Sequence, residues 1–367
     1  MSNEFISPLN TQMWNNGRHL LRCVKVIQET WDVRTFCFMA DQPLFFFFKP
    51  GQFITLELEI DGVNVMRSYT ISSSPSVPYS ISITVKRVPG GKVSNWLHDN
   101  LREGDSIPVH GPVGLFNIID FPADKVLFLS GGVGITPVMS MARWLFDTNA
   151  NTDVIFVHSA RTPQDIIYHR ELTHMDSRVR HFTINLICES YNIGDSWAGY
   201  RGFLDEAKMR MMAPDFMERE IFCCGPTPYM KAVKAMLKAN GFDMRRYHEE
   251  SFGATPVDAK EDAIELAKQA QDAVEELDAS ELFTVEFSKT GKSVRIAPGE
   301  TVHSAAAQLG LHIPKACGMG ICGTCMVQKL QGDVEMNHNG GITDEDEEDG
   351  MILTCCSVPT SDVVMDY

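Results

Sequence analysis

The chain has 367 residues, 44% of them hydrophobic and 22% charged, with a formal net charge of -16. That length exceeds one ordinary core and implies two or three domains. The acidic balance argues against nucleic acid as a partner, because phosphate binding needs a basic face, and it suits docking onto a basic surface of another protein. No run of about 18 apolar residues is present to cross a membrane, since the longest apolar stretch, 126–141, is cut by glycines and Pro137. Residues 1–16 lack the basic start and apolar block of a secretory signal. The ten cysteines therefore read as cytoplasmic thiols and metal ligands, not as a disulfide frame.

From Leu20 the chain reads as short strands between turns: 20–28, 35–39, 52–60, 68–72 and 80–88 are rich in β-branched and aromatic residues. Strands so spaced, with no long helix between them, predict a closed antiparallel β-barrel. The run Phe45-Phe46-Phe47-Phe48 is expected to pack that barrel or rim a ligand. Then comes Arg67-Ser68-Tyr69-Thr70. A guanidinium can hold a pyrophosphate by paired hydrogen bonds, and a tyrosine two residues on, on the same strand face, can cover a flat ring. Thr84-Val85-Lys86 follows, and Pro89-Gly90-Gly91-Lys92-Val93-Ser94 opens a helix over 93–101 whose first amides would face an anion. Gly111-Pro112-Val113-Gly114 closes this region.

The pairing of Arg67–Thr70 with Gly91–Ser94 resembles the flavin-binding signature of the ferredoxin–NADP reductase superfamily. That resemblance implies that Tyr69 stacks on the isoalloxazine and Thr70 bonds near its N5. It also implies that Arg67 and the turn Gly91, Lys92, Val93 and Ser94 hold the diphosphate, with Ser68, Thr84, Val85 and Lys86 completing the site. FAD is expected over FMN, because the FMN-using branch has a different glycine–serine turn.

At Lys125 the pattern changes to strand–helix alternation. Strands are predicted at 126–130, 153–158, 182–188 and 220–224, and helices after Pro137 through Trp144, at 164–174, from Asp205 and at 229–239. Such alternation implies a parallel sheet with ligands at the carboxyl ends of its strands. Gly131-Gly132-Val133-Gly134-Ile135-Thr136-Pro137 follows the first strand, and Cys224-Gly225-Pro226 follows the fourth. Both resemble the nicotinamide-nucleotide motifs of the same superfamily. By that resemblance Gly132, Gly134, Thr136 and Pro137 support a pyrophosphate, and Cys224, before Gly225 and Pro226, sits beside the nicotinamide carbon. Cys223 should point the other way, into the core. Ser159 and Arg161, after the second strand, would meet the adenosine ribose. Arg161 could receive a 2′-phosphate, but its sequence neighbourhood holds no basic residue besides His158, so NADH is expected, with NADPH as the alternative. His248-Glu249-Glu250-Ser251-Phe252 resembles the acidic–x–Phe ending of oxygenase reductases, which would place Glu250 over the flavin; a solvated carboxylate is the alternative.

Residues 258–281 carry nine acids against two lysines, with Ala263, Ala267, Ala270, Val274 and Leu277 on one helical stripe. This predicts a semi-rigid helical linker. Beyond it, 282–287 and 293–296 form a hairpin and 302–309 a helix. The loop Cys317-Gly318-Met319-Gly320-Ile321-Cys322-Gly323-Thr324-Cys325 is C-x4-C-x2-C, with Cys355 a further 29 intervening residues on. Four thiolates so spaced can hold a [2Fe–2S] cluster; a zinc site would more often pair its cysteines in two short knuckles. The segment resembles the β-grasp fold of plant-type ferredoxins, which favours Cys355 over Cys356 as fourth ligand. Asp344–Asp349, six acids in a row, is expected to be a solvated face or a steering patch.

The expected domains are therefore a FAD-binding barrel (17–120), an NAD(P)-binding α/β domain (121–253), an acidic helical linker (254–280) and a [2Fe–2S] ferredoxin domain (281–367). The whole most resembles the reductase component of Rieske-type oxygenases that demethylate quaternary ammonium compounds such as glycine betaine or carnitine. The partner implied is the oxygenase component. An NADH reductase of the hybrid-cluster protein or of another soluble acceptor is the alternative, and a cluster-based redox sensor is the alternative from a different class.

Overall fold

A computed structural model of the chain describes residues 12–14, 17–191, 197–252, 282–311, 313, 318, 320, 325–338 and 342–367. It divides into two compact units, one comprising Met1–Val65 and Tyr69–Phe252 and the other Met66–Ser68 and Gly253–Tyr367. The linker expected over 254–280 lies outside the described residues. No helix among the described residues is long and apolar enough to cross a membrane.

The first unit begins with a six-stranded antiparallel sheet. From edge to edge its order is Val63–Thr70, Phe53–Ile60, Ser106–Val113, Gly17–Thr30, Val33–Ala40 and Ile81–Lys86. The sheet curls until Ile71, just past one edge strand, bridges Ile83 on the other. Phe36, Phe38, Ile54, Leu56, Ile83 and Val109 fill the interior. Of the four consecutive phenylalanines, Phe46 and Phe48 are buried there and Phe47 is exposed. The strand Ser106–Val113 escaped the sequence reading because Pro108, Gly111 and Pro112 erase the usual strand signal. It is nonetheless central, paired on both sides.

The second sheet of this unit is parallel throughout. Its order is Tyr200–Arg201, Phe182–Cys188, Asp153–Ala160, Lys125–Gly131, Glu220–Cys224 and Tyr247–Glu250. The chain steps outward from Lys125–Gly131 in one direction and later resumes on its other side. That reversal opens a crevice at the carboxyl ends of the central strands. Ile135–Asp147 and His169–Arg178 bury Val138, Met139, Leu172 and Met175 on one face, while Met209, Met230, Val233 and Leu237 of Glu206–Met212 and Thr227–Ala239 cover the other. The helix expected from 164 starts only at His169: Pro163–Asp165 forms a single 3-10 turn, and Tyr168 takes a left-handed φ of 57° that buries its ring.

The terminal unit has a five-stranded mixed sheet, ordered Lys292–Ile296, Phe283–Phe287, Val363–Met365, Met326–Gln331 and Met351–Leu353. Helix Val302–Gln308 packs Val302, Ala305 and Ala306 onto it, and its cap Thr301 accepts the Ser304 amide at 3.2 Å. The reading of the sequence missed Val363–Met365, a three-residue strand too short to show a pattern. It pairs with both Phe283–Phe287 and Met326–Gln331 and so joins the two halves of the sheet.

Candidate active site

Arg67, Ser68, Tyr69 and Thr70 end the edge strand Val63–Thr70, so Arg67 and Tyr69 share one face and Ser68 and Thr70 the other. Arg67 is exposed, the Tyr69 ring packs in part on the barrel core, and Thr70 is buried. Helix Lys92–Asn100 is capped by Gly91 with no side-chain hydrogen bond, which leaves its first-turn amides to an anion. A Cβ on Gly91 would come within 2.7 Å of Ser94 Oγ, and that oxygen already accepts the Val88 amide at 3.2 Å. An open helix N-terminus, an exposed guanidinium and a half-buried tyrosine ring suit a diphosphate joined to a flat ring. Thr84 is different: its hydroxyl bonds Thr35 at 2.7 Å, Ser72 at 3.1 Å and the Tyr168 hydroxyl, so only its backbone is left to a ligand. Val85 is buried, and Lys86 pairs with Asp32 at 3.3 Å.

Across the carboxyl edge of the parallel sheet, Glu250, Cys224 and Ser130 stand in register on neighbouring strands, and His158 continues the row beyond Ser130. Alternation from Phe128 and Phe156 puts Ser130 and His158 on the face that also buries Cys224. Cys223 packs into the opposite core, as expected. Ser130 Oγ bonds His158 Nδ1 at 2.9 Å. Burial pushes the His158 imidazole down to about 3, so it is neutral. Burial, with Glu250 and Cys223 nearby, raises the Cys224 thiol well above its ordinary value and keeps it protonated. Burial also pushes the Glu250 carboxyl up to about 8, against a hydrogen bond from the Thr70 side chain that favours the charged form. Thr70, at the strand end expected to meet the flavin, thus lies near the carboxyl that ends the strand beside Cys224.

The two glycine loops touch. A Cβ on Gly134 would lie 2.4 Å from the Cys224 carbonyl oxygen, so no other residue fits there, whereas above Gly132 (φ +53°) the space is open. Thr136 and Pro137 are buried at the start of helix Ile135–Asp147. Gly225 packs against the Tyr229 ring and Gly131. Tyr229 is buried, and its hydroxyl lies near that of Ser159 without a well-formed hydrogen bond. Two packed loops with open space over one glycine suit a pyrophosphate.

In the terminal unit, Cys325 is buried where strand Met326–Gln331 begins. Its carbonyl accepts both the amide (3.1 Å) and the hydroxyl (3.0 Å) of Thr354, which holds Cys355 beside it. Gly320 has φ +65°, and a Cβ there would meet Cys356 Sγ at 2.6 Å and the His338 Cα at 2.8 Å. Cys356 is thus turned against the loop backbone while Cys355 is half-buried next to it. Cys317 and Cys322 lie outside the described residues. A thiolate donor set on a glycine-bearing loop fits an iron–sulfur cluster.

Family profiles match in the same order: an oxidoreductase FAD-binding domain over residues 21–118, an oxidoreductase NAD-binding domain over 128–235, and a 2Fe-2S iron-sulfur cluster binding domain over 285–360. The chain is 71% identical, over 367 residues and the full length of both proteins, to the glycine betaine monooxygenase reductase subunit of Pseudomonas aeruginosa (strain UCBPP-PA14). It belongs to the ferredoxin–NADP reductase superfamily. Within that superfamily it is also 43% identical to the stachydrine N-demethylase reductase subunit Stc4 of Rhizobium meliloti, covering 94% of this chain and 95% of the relative. The solved phthalate dioxygenase reductase shares the fold, with a TM-score of 0.57 and 23% identity over 96% of this chain and 98% of that one. This superfamily member is thus an NAD(P)H-dependent oxidoreductase with FAD and a [2Fe–2S] cluster.

Four residues near the site were not singled out for it in the sequence: Ser130, His158, Tyr229 and Asp32. Their neighbours in space come from other strands and from the other sheet, and no local spacing reports that. Only for Ser130 and Tyr229 was a hint available, because each lies within a few residues of a glycine motif.

Proposed function

We propose that this reductase passes electrons from NADH through FAD and the [2Fe–2S] cluster to a Rieske-type oxygenase that demethylates glycine betaine or a similar quaternary ammonium compound, in the cytoplasm. The observation that carries this reading is 71% identity over the full length of a glycine betaine monooxygenase reductase subunit. The N-demethylase reductase subunit at 43% supports it and weakens the hybrid-cluster alternative. Nicotinamide gives two electrons as hydride, the cluster takes one at a time, and the flavin handles both, which is why all three are needed.

The residues divide this work. Tyr69 covers the flavin ring, with Ser68 and the 84–86 backbone beside it. Arg67 and Gly91–Ser94 hold the diphosphate. Gly132, Gly134, Thr136 and Pro137 seat the nucleotide pyrophosphate, and Ser159 and Arg161 meet its ribose. Cys224, with Gly225 and Pro226 behind it, gives the nicotinamide a neutral surface that excludes water. Glu250, protonated at neutral pH, holds a proton next to Thr70. Cys317, Cys322, Cys325 and Cys355 bind the cluster. The division into 17–120, 121–253, a linker over 254–280 and 281–367 follows from the same reading.

Mixing the purified protein with NADH, the oxygenase and glycine betaine tests this directly. NADH should bleach flavin and cluster absorption, and demethylated product should form only with both proteins present. Bleaching without product would remove the oxygenase as partner, and no bleaching would remove the reductase reading. Bleaching without turnover on any acceptor would favour the sensor. Cys322→Ser should abolish reduction of the oxygenase while ferricyanide, which needs only the flavin, is still reduced.

A further inference from the structure

The two-residue turn Trp31-Asp32 connects strands Gly17–Thr30 and Val33–Ala40, with Thr30 opposite Val33. It belongs to the antiparallel sheet, yet both side chains reach the loop after the parallel strand Asp153–Ala160. Trp31 Nε1 donates to Asp165 Oδ1 at 2.9 Å. Asp32 Oδ2 lies 3.9 Å from Arg161 Nη2 and 3.3 Å from Lys86 Nζ. The Asp32 side chain is only 5% exposed, whereas that of Arg161 is 57% exposed. Asp32 is fixed by the Thr30 hydroxyl at 3.0 Å, and Asp165 by the Thr162 hydroxyl at 2.8 Å. Burial alone would raise the Asp165 carboxyl. The bonds from Thr162 and Trp31, with the charges of Arg161 and Lys86, outweigh it and hold the group below its ordinary value. Asp32 is thus the carboxylate beside Arg161, shared with Lys86, and Asp165 stands four residues on in the same loop, tied to the turn through Trp31.

In a dinucleotide-binding parallel sheet, the residues after the second strand meet the adenosine ribose; an acid there suits a 2′-hydroxyl and an arginine a 2′-phosphate. Taken alone, Arg161 signals phosphate. Its surroundings reverse that signal. A phosphate monoester carries about -1.5 to -2 charges at neutral pH, and here it would have to draw the guanidinium from Asp32 and sit against two carboxylates. A 2′-hydroxyl meets no such opposition.

We propose that Asp32 and Asp165 make the enzyme selective for NADH by neutralising Arg161, so that a hairpin turn of the flavin-side sheet decides which nucleotide the parallel sheet accepts. This rests on the nicotinamide-nucleotide site proposed above. The test is ferricyanide reduction by the full-length, flavin-loaded protein at low ionic strength, with NADH and NADPH compared by kcat/KM. The wild type should favour NADH by about a hundredfold, as like-charge opposition implies. Asp165→Asn should narrow that ratio roughly tenfold through a lower KM for NADPH, and this gain should shrink as salt screens it. Asp32→Asn should do the same, and adding Arg161→Gln to Asp165→Asn should cancel the gain. Equal use of both nucleotides by the wild type, or an unchanged ratio in Asp165→Asn, overturns the proposal. If Asp32→Asn loses FAD through its contact with Lys86, Asp165→Asn decides alone. No flavin reduction by NADH at all would sink the underlying site and this inference with it, a result distinct from intact reduction with unaltered selectivity.

Discussion

The two ends of the parallel sheet handle buried polar groups in opposite ways. At the amino end Arg219, with 3% of its side chain exposed, donates to Asp215 at 2.7 Å and to Asp153 at 2.8 Å, and also to the carbonyls of Val126 and Asp153. Lys125 completes the group with Asp215 and Glu218. At the carboxyl end, His158 Nε2, Ser159 Oγ, Tyr229 OH and Glu250 Oε2 are shielded from water and have no well-formed hydrogen bond among the described residues. Unpaired buried groups cost stability, and a fold keeps them where a ligand will satisfy them. Saturation marks the end that holds the sheet together; its lack fits the end proposed to bind.

Substitutions should separate the two ends. Arg219→Ala takes a buried donor from Asp153, Asp215 and two carbonyls, leaves Asp215 with Lys125 alone, and should cost about 3 kcal/mol, seen as a lower denaturation midpoint with flavin reduction per folded molecule unchanged. If stability holds and flavin reduction falls, the assignment of the two ends is reversed. Cys224→Ala should slow flavin reduction by NADH about tenfold in stopped flow with KM within about twofold; unchanged kinetics would take the thiol out of the site.

Glu250→Gln should change the rate below pH 7 by no more than about threefold, because the amide mimics the protonated acid. The wild-type pH–rate profile should bend near pH 8, where the carboxyl loses its proton, and the variant's should not. The same shift fixes a sign for stability. Between the ordinary value of 4.5 and about 8 the native state keeps a proton that the unfolded chain releases, so this group's contribution falls as pH rises through that window. The variant should lose that part of the slope. Smallest of all, Ser159→Ala removes a hydroxyl with no well-formed bond among the described residues; it should leave the midpoint unmoved and raise the KM for NADH about twofold.

Much of this was legible in the sequence because it is local. The strands Phe182–Cys188 and Glu220–Cys224 fall on their predicted bounds, since an apolar run between turn signals needs only its own residues to be recognised. Asp205 caps its helix by accepting the Lys208 amide at 2.8 Å, as a short acidic side chain before a helix should. The central strand Ser106–Val113 was not legible: a strand interrupted by proline and glycine exists only because its neighbours pair with it. The setting of Arg161 was hidden for the same reason, because its counter-ion Asp32 is 129 positions away and belongs to the other sheet.

By itself the sequence determined the order of the three functional segments and singled out the groups proposed to ligate and stack, because thiol spacing, glycine turns and strand alternation act over a few residues. Only the tertiary structure decided which polar groups are buried together at the sheet's carboxyl edge, and hence that Cys224 is a neutral thiol, Glu250 a protonated acid and Arg161 a compensated cation. Charge state depends on desolvation and on partners brought from distant parts of the chain, and those are properties of packing.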